Sequence, residues 1–221
     1  MDNISIASLF DLSHSVAADY LSGFEYPWKA LAGLSDFILS LGDTLLSSEY
    51  EEREKGIWIH RSARVVATAV LIAPVIIGPD SFVGHNAFVR NGVIVGRDCS
   101  VGTSVEIRNS VLFDHVEIAH FNYVGDSIIG YHSHFGAGAI VSNVKSDSSD
   151  IIIRGESGFE TGLWKLGAMV GDHVEVGCNA VLNPGTVIGR NTTVYPCSNV
   201  RGVIPPSSIV KSAGVVVVPK R

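Results

Sequence analysis

The segment Ile118–Asp126 carries the side chains best suited to covalent chemistry. Its order is Ile-Ala-His-Phe-Asn-Tyr-Val-Gly-Asp, which places His120, Tyr123 and Asp126 close together. An imidazole titrates near neutral pH, so His120 is a candidate general base that takes a proton from an attacking nucleophile. The alternative is that His120 is an ordinary packing histidine.

Two arginines upstream of this segment are candidates for binding a phosphate. Arg90 ends the triplet Phe-Val-Arg, and Arg108 ends the stretch Val-Glu-Ile-Arg. A guanidinium group binds phosphate through charged donors held in a fixed fork. Tyr123 can add a hydroxyl to such a phosphate, and Glu106 can bind sugar hydroxyls or orient His120. The alternative for both arginines is exposed charge on the surface of the fold.

An aliphatic or aromatic residue recurs every six positions through most of the chain, a period that neither a helix nor a plain alternating strand gives. Glycine follows many of these residues, which suits crowded corners of the backbone. The pattern predicts a coil with three flat faces, one hexapeptide to a face, and roughly seven coils stacked through inward aliphatic side chains. The periodic positions are Ile59, Val65, Leu71, Ile77, Val83, Val89, Val95, Val101, Ile107 and Phe113, then Val170, Val176, Leu182, Ile188, Val194 and Val200.

The register of this repeat shifts in the middle of the chain. A shortened corner re-aims the side chains next to it, as a bulge does in a sheet. Because the shift falls beside His120, it favours a functional site there, and the alternative is a harmless deletion. After Phe113 the inward positions become Ile118, Val124, Ile129, Phe135 and Val141, with two steps of five residues.

The rest of the chain divides around the repeats. Residues 1–47 contain a helical pattern that begins at Pro27 and ends near Gly42, and we expect them to cap the open first coil. Residues 48–56 are acidic and are expected to form a solvated linker. The repeats and a C-terminal tail then occupy residues 57–221, with an inserted loop at about 145–167. A loop of this length is more often functional than idle.

The stretches around His120 and Asn143 resemble a known family. His-Phe-Asn-Tyr-Val-Gly-Asp, then Phe-Gly-Ala-Gly, then Asn143 are similar to the acetyltransferase half of the bifunctional N-acetylglucosamine-1-phosphate uridyltransferase/glucosamine-1-phosphate acetyltransferase. The resemblance covers roughly residues 57–205. It implies an all-β fold, a left-handed parallel β-helix of hexapeptide repeats with a small N-terminal helical segment. The left hand comes from the resemblance and not from the six-residue period.

The resemblance also implies an activity and a set of roles. It implies transfer of an acetyl group from acetyl-CoA to the amine of an amino-sugar phosphate, in UDP-N-acetylglucosamine biosynthesis, by a metal-free homotrimer with sites between subunits. Gly136 and Gly138 let the chain approach the thioester, or they serve ordinary corner geometry. The implied roles are general base for His120, oxyanion stabilisation by the Ala137 N–H, acetyl or sugar binding for Asn143, and phosphate or sugar binding for Arg90, Glu106, Arg108 and Tyr123.

Two features depart from the family pattern. After Asn143 the chain continues Val-Lys-Ser-Asp rather than Tyr-Asp-Gly, so Lys145 is the candidate substitute for a phosphate-binding lysine. The Gly-rich G-x-G-T-R-like loop of uridyl transfer is missing from the sequence, so we do not expect nucleotidyl transfer.

Two other functions stay open. His115 and His120 have a His-x4-His spacing and, together with His85, resemble the γ-class carbonic anhydrases, in which three imidazoles hold a catalytic zinc. The second alternative is a non-catalytic sugar-nucleotide-binding or assembly module, which the departure at Lys145 favours. Release of thiol from acetyl-CoA in the presence of an amino-sugar phosphate distinguishes turnover from binding alone.

Composition narrows the partners and the compartment. The net charge of −6 disfavours a general nucleic-acid binder. No apolar run is long enough to span a bilayer, and the first residues lack the basic region of a signal peptide. Three widely spaced cysteines, Cys99, Cys178 and Cys197, predict reduced and buried thiols. We therefore expect a cytoplasmic protein with neither a nucleic-acid nor a membrane partner.

Overall fold

The repeat region folds as the predicted left-handed parallel β-helix, a solenoid of about eight turns with few helices. The computed structural model describes residues 4–155 and 158–211 with their side chains and residues 217–219 as backbone. Strands of successive coils pair in parallel register, so that Val75 lies beside Val93, eighteen positions later. Each coil is therefore bound by backbone hydrogen bonds to the coils before and after it.

Three faces run along the β-helix. The site face consists of β4 Val70–Ile72, the first parts of β7 Phe88–Val95 and β9 Glu106–Leu112, β11 Tyr123–Gly125, β14 Ile140–Val141, β19 Val181–Leu182 and β22 Asn199–Val200. The covered face consists of β2 Ile57–His60, β5 Val75–Ile77, the last parts of β7 and β9, β12 Ile128–Ile129, β17 Ala168–Val170, β20 Thr186–Ile188 and β23 Val203–Ile204. The third face consists of β3 Arg64–Val65, β6 Phe82–Val83, β8 Ser100–Thr103, β10 Glu117–His120, β13 His134–Phe135, β18 Glu175–Val176, β21 Thr193–Val194 and β24 Ser208–Val210.

The inside of the coils is filled by the six-residue series, with one exception. Phe113 lies outside, among the residues that cover the β-helix, and Leu112 takes the inward place. The first five-residue step falls at Asn109, one corner earlier than expected, because Val93 pairs with Ser110, seventeen positions later. A shift of one residue moves a strand's side chains to its opposite side, which is why the prediction for Phe113 is wrong.

The covered face is apolar on its outside as well as on its inside. The N-terminal segment packs against it, and Leu9, Trp28 and Ile38 belong to the same buried cluster. Exposure of such a stripe to water is unfavourable, so the segment lies along the side of the β-helix and not across its first coil as expected. The outward residues that it helps to bury are Trp58, Ile76, Ile94, Val111, Ile128, Met169 and Val187.

Short helices build this N-terminal segment, in agreement with the predicted helical pattern. They are α1 Ile6–Leu9, α2 Ala18–Ser22 and α3 Leu34–Gly42, with 3-10 turns at Leu12–His14 and Pro27–Gly33. The acidic stretch after them is not a free linker, because β1 Tyr50–Glu54 pairs antiparallel with β2. Its side chains are nevertheless largely exposed, as its charge requires.

Asp172 attaches the N-terminal segment to the β-helix. This carboxylate is 2% exposed and accepts hydrogen bonds from the backbone N–H of Asp11 at 2.7 Å and of Tyr131 at 2.9 Å. The backbone N–H of Asp172 donates in turn to the carbonyl of Leu9 at 3.0 Å. Burial raises the pKa of Asp172, while these donors and the nearby Arg190 oppose the shift.

The insert covers the later coils of the same face. Its strands β15 Ile152–Ile153 and β16 Phe159–Glu160 form an antiparallel pair, and Phe159 packs against Trp28 with ring centroids 5.2 Å apart. Leu166 is fully buried and holds the end of the insert to the body of the β-helix. Trp164, two residues earlier, is 55% exposed.

The cysteines differ from expectation. Cys99 is buried, and burial raises its pKa to about 12. Cys178 and Cys197 are exposed, because both lie at corners and not at inward positions. All three are free thiols.

Part of the predicted C-terminal tail, residues 212–216 and 220–221, lies outside the described residues, as do residues 1–3. The backbone of β25 Val217–Pro219 pairs antiparallel with β24. No helix in the described ranges is both long enough and apolar enough to cross a membrane.

The two tryptophans Trp28 and Trp164 give a matched test of this packing, since they are 0% and 55% exposed. We expect Trp28→Ala to lower the free energy of unfolding by about 3–5 kcal/mol, because it leaves a cavity between the N-terminal segment and the covered face. Trp164→Ala is expected to change it by no more than about 0.5 kcal/mol. Urea unfolding followed by circular dichroism measures both, and equal effects would contradict the packing.

Candidate functional site

Arg90 and Glu106 form an ion pair between adjacent coils, on the outside of the site face. Nε and Nη2 of Arg90 both donate to Oε1 of Glu106, at 3.0 and 2.7 Å. The guanidinium also lies 5.3 Å from the ring centre of Phe88, in a cation–π contact. Glu106 therefore holds Arg90 in place; within the described residues it makes no hydrogen bond to His120, the second role expected of it.

Arg108 lies next to Arg90, on the adjacent coil. Its Nε is buried and has no hydrogen-bond partner among the described residues. A buried charged donor without a partner is uncommon, and it indicates a place for a bound acceptor. Two arginines thus lie in register on adjacent coils. One is neutralised by Glu106 and the other has a spare donor, which leaves a local positive charge suited to an anion.

Tyr123 lies on the next coil beyond Glu106, with which it is in register. Burial raises the pKa of its phenol, and the carboxylates of Asp126 and Glu106 raise it further, against the opposing effects of Arg108 and Asn143. The phenol therefore stays protonated at neutral pH and remains a hydrogen-bond donor. A Cβ at Gly125 would lie 2.6 Å from the Tyr123 hydroxyl, so the lack of a side chain there makes room for it.

A hydrogen-bonded column of three side chains supports these groups from the adjacent corner. Asp126 is 4% exposed and accepts from the amide of Asn109 at 2.8 Å and from that of Asn143 at 2.5 Å. Asn109 and Asp126 have φ of 43° and 49°, a left-handed conformation that Asn and Asp adopt more readily than most residues. These are the shortened corners, so the register shift creates the column that fixes Asn143.

His120 ends β10 on the third face, at the corner that leads to the site face. Its carbonyl accepts from the N–H of Gly138 at 2.8 Å, which places it beside the Gly-Ala-Gly corner of the next coil. The side chain is exposed, and its ring nitrogens make no hydrogen bond within the described ranges. His120 and Ala137 therefore lie at the same corner on adjacent coils.

The Ala137 N–H donates to no acceptor among the residues that the structure describes. It is thus available to an oxyanion. The same holds for the N–H of His85 at the equivalent corner three coils earlier, so a free donor is a property of this type of corner.

Lys145 is turned toward the insert. Its Nζ donates to Ser149 Oγ at 2.8 Å and to the carbonyl of Asp150 at 2.6 Å. These groups help to line a cavity of about 350 Å³ within the insert. The expected substitute phosphate ligand is therefore occupied by the loop and not directed at Arg90 and Arg108.

The three histidines considered for zinc do not converge. His120 and His85 lie at one corner of the third face, two coils apart, and His85 Nδ1 is 3.0 Å from Thr68 Oγ1. His115 lies at the opposite corner of that face, where its Nδ1 is 3.0 Å from Asp98. Among the described residues no three His, Cys, Asp or Glu side chains are grouped to hold a metal ion.

Two contributors were missed from the sequence. Asn109 supports Asp126, and Phe88 packs on Arg90. The spacing did contain the information for Asn109, because Asn109, Asp126 and Asn143 follow one another at intervals of seventeen residues. Seventeen is the length of a coil with one shortened corner.

Comparisons with known proteins agree with the resemblance expected from sequence. Residues 71–158 match the family model described as GMPPB C-terminal domain. Residues 167–202 match the model described as bacterial transferase hexapeptide (six repeats). The repeat region is thus related to hexapeptide transferases, as predicted.

Curated relatives point to the same class. A bifunctional sugar-1-phosphate nucleotidylyltransferase/acetyltransferase of Sulfurisphaera tokodaii is 37% identical over 39% of this chain and 22% of that protein. A bifunctional protein GlmU of Methanococcus maripaludis is 34% identical over 51% of this chain and 28% of that protein. The chain therefore spans about a quarter of the length of these relatives.

Some solved structures show a partial likeness to the chain. PerB from Caulobacter crescentus, in complex with CoA and GDP-perosamine, is 15% identical with a TM-score of 0.36, over 73% of this chain and 56% of that one. The UDP-N-acetylglucosamine O-acyltransferase LpxA of Moraxella catarrhalis is 14% identical with a TM-score of 0.43, over 71% and 69%.

The Asp126 column has a measurable consequence for stability. In Asp126→Asn an amide donor replaces one acceptor oxygen, so one of the two asparagine amides loses its partner inside the protein. We expect the free energy of unfolding to fall by about 1–3 kcal/mol. Asp150→Asn, at an exposed position of the insert, is the control and is expected to have little effect in the same chemical unfolding experiment. An unchanged denaturant midpoint for Asp126→Asn would show that these hydrogen bonds do not stabilise the fold.

Proposed function

We propose that the chain transfers an acyl group, acetyl in the first instance, from acetyl-CoA to the amine of an amino-sugar phosphate or sugar nucleotide bound at the site face. The observation that carries the proposal is the buried, unpartnered Nε of Arg108 beside Arg90 and Tyr123. Such a group of donors fits a phosphate. The relatives named above supply the class of reaction.

The acceptor is bound by the charge of the arginines and oriented by Asn143, which the hydrogen-bonded column of Asn109, Asp126 and Asn143 holds in place. Arg108 and Tyr123 donate to its phosphate, and Arg90, already fixed by Glu106 and Phe88, contributes charge without loss of side-chain freedom. Asn143 is locked by Asp126, so its carbonyl oxygen has a fixed direction toward the acetyl group or the sugar. Groups held in advance in this way lose little entropy on binding.

The chemical step takes place at the corner shared by His120 and Ala137. The amine nitrogen attacks the thioester carbonyl, the new C–N bond forms, and His120 accepts the proton that the amine loses. The Ala137 N–H donates to the oxyanion of the tetrahedral intermediate. When the intermediate collapses, the C–S bond breaks and coenzyme A leaves as thiolate, which then takes up a proton. No metal takes part in this scheme.

We further propose that the active form is a homotrimer, in which a neighbouring subunit closes the exposed corner at His120. The exposed histidine and the uncovered third face support this, since the covered face is already occupied by the chain's own N-terminal segment and insert. We expect multi-angle light scattering at micromolar concentration to give three times the monomer mass of 23.5 kDa. A monomer would contradict the proposal.

One observation favours a second candidate function, a binding module without turnover. The Arg108, Tyr123 and Asn143 groups are in place for a ligand, whereas the exposed His120 ring makes no hydrogen bond to any of them within the described residues. Binding of an amino-sugar phosphate without release of thiol from acetyl-CoA would decide for this alternative.

His120 is tested against a histidine in an equivalent position. Removal of a positioned general base costs about 10²–10⁴ in rate, so we expect His120→Ala to lower kcat by that factor while KM for acetyl-CoA changes little. His85→Ala removes an exposed histidine at the same corner two coils earlier and is expected to keep the wild-type rate. Thiol release measures both variants, and near-normal turnover of a well-folded His120→Ala would refute the mechanism.

Arg108 is tested by a different kinetic pattern. Arg108→Ala removes ground-state binding of the phosphate, so we expect KM for the acceptor to rise while kcat is preserved. Arg97→Ala, which removes an exposed guanidinium paired with Asp80 at a distant corner, is the control. If the two variants behave alike, Arg108 does not bind the acceptor.

A further inference from the structure

Four histidines surround the ring of Tyr131 at the corner between the covered face and the third face. His14 of the N-terminal segment stacks on it with centroids 3.7 Å apart. His115, His132 and His173 meet it edge to face, with centroids 5.5, 5.8 and 5.2 Å away. Nothing in the proposed acyl transfer uses this cluster, which lies at the opposite corner of the third face from His120.

Three of these histidines form a ladder. His115, His132 and His173 occupy the same corner position on successive coils, each with a φ between 55° and 58°. Equal backbone conformations send the side chains out in the same direction. The ring centroids are 6.3 Å apart for His115 and His132 and 5.6 Å apart for His132 and His173, with the ring planes about 30° from parallel.

Among the described residues, His132 and His173 have free ring nitrogens that can bind a ligand, whereas His115 has one nitrogen already engaged. Nδ1 of His115 is 3.0 Å from Asp98, so one of its nitrogens is already engaged. The ring nitrogens of His132 and His173 make no hydrogen bond with any part of the chain that the structure describes, and both side chains are exposed. Two unengaged imidazoles side by side on a surface have no evident role in holding the fold.

We propose that His132 and His173 together bind one borderline divalent transition-metal ion, such as Zn²⁺, with water completing its coordination. Metal–nitrogen bonds of about 2.0–2.1 Å place two imidazole centroids roughly 5–5.5 Å apart around a tetrahedral ion. The observed 5.6 Å is within a small side-chain adjustment of that distance, whereas the 6.3 Å to His115 is not. The site thus uses two protein ligands, and water supplies the others.

The neighbouring charges favour a cation. Asp172 lies directly before His173 in sequence and is buried as the anchor of the N-terminal segment. Glu117 and Glu175 line a cleft of about 300 Å³ together with His132 and His134. Glu175 is already partnered by Nδ1 of His134 at 3.1 Å, so Glu117 is the freer of the two carboxylates. Carboxylates near metal-bound imidazoles raise the affinity of a site by their charge and by the hydrogen bonds they accept.

The position of the pair predicts what the ion does. His132 precedes the insert and His173 follows it, although they lie on adjacent coils. A bound ion therefore ties the two sides of the insert together, and it stabilises the folded state because the ligands are adjacent only there. It does not touch the acyl-transfer corner.

Calorimetric titration of the metal-free full chain with zinc chloride tests the proposal. We expect one ion per chain, together with a rise in the thermal midpoint. His132→Asn and His173→Asn are expected to abolish both effects, because Asn tolerates the left-handed corner but is a poor ligand for zinc. His115→Asn is the matched control from the same ladder and is expected to bind as the wild type does.

Three results would each overturn the proposal: no zinc binding by the wild type, binding that persists in His132→Asn and His173→Asn, or binding that is lost in His115→Asn. Thiol release measured with and without a chelator separates this site from the acyl-transfer site. We expect the rate to be unchanged by the chelator. Loss of acyl transfer with intact zinc binding would count against the proposed function alone.

Discussion

The vertical register between coils is the constraint on which the rest of this structure depends. Each coil is paired by parallel backbone hydrogen bonds with its neighbours. A residue finds its counterpart seventeen or eighteen positions away through most of the β-helix, sixteen away in the last coils and 41 away across the insert. Any property that recurs at these intervals becomes a continuous column. The inward column is the aliphatic core, whereas the outward columns differ from face to face, and the function depends on them.

On the covered face, the column of outward apolar residues determines where the N-terminal segment and the insert pack. Ile76, Ile94 and Val111 point outward, and by themselves they would leave an apolar stripe in water. The N-terminal segment and the insert bury this stripe from its two ends, and their aromatic residues meet where Phe159 packs on Trp28. The buried side of the insert therefore stabilises the fold. The two ends of the insert meet beside the candidate site, where the backbone N–H of Leu166 donates to the carbonyl of Asn143 at 3.0 Å.

Much of the fold could be predicted from the sequence because its period is unambiguous. The coils, the helical segment and the insert all follow from hydrophobic spacing, glycines and turn residues. Phe113 was misplaced because two adjacent large apolar residues, Leu112 and Phe113, satisfy the pattern equally well, and the pairing at Asn109 decides between them. The side on which the helices pack could not be predicted, since the six-residue period marks the inward positions and does not distinguish the three outward faces.

The candidate site was predicted only in part because some of its residues lie on regular strands and others lie at corners or in the insert. Arg90, Glu106 and Tyr123 come together because strand positions at coil spacing must stack, so their proximity follows from the sequence once the register is known. His120 and Lys145 lie where the chain leaves the regular strands, and there the spacing no longer fixes the direction of a side chain. Lys145 is consequently held by the insert's own carbonyl and hydroxyl groups. The rigid column can orient an acceptor without further adjustment, whereas the base at the exposed corner acquires its final environment only when substrate or a neighbouring subunit is present.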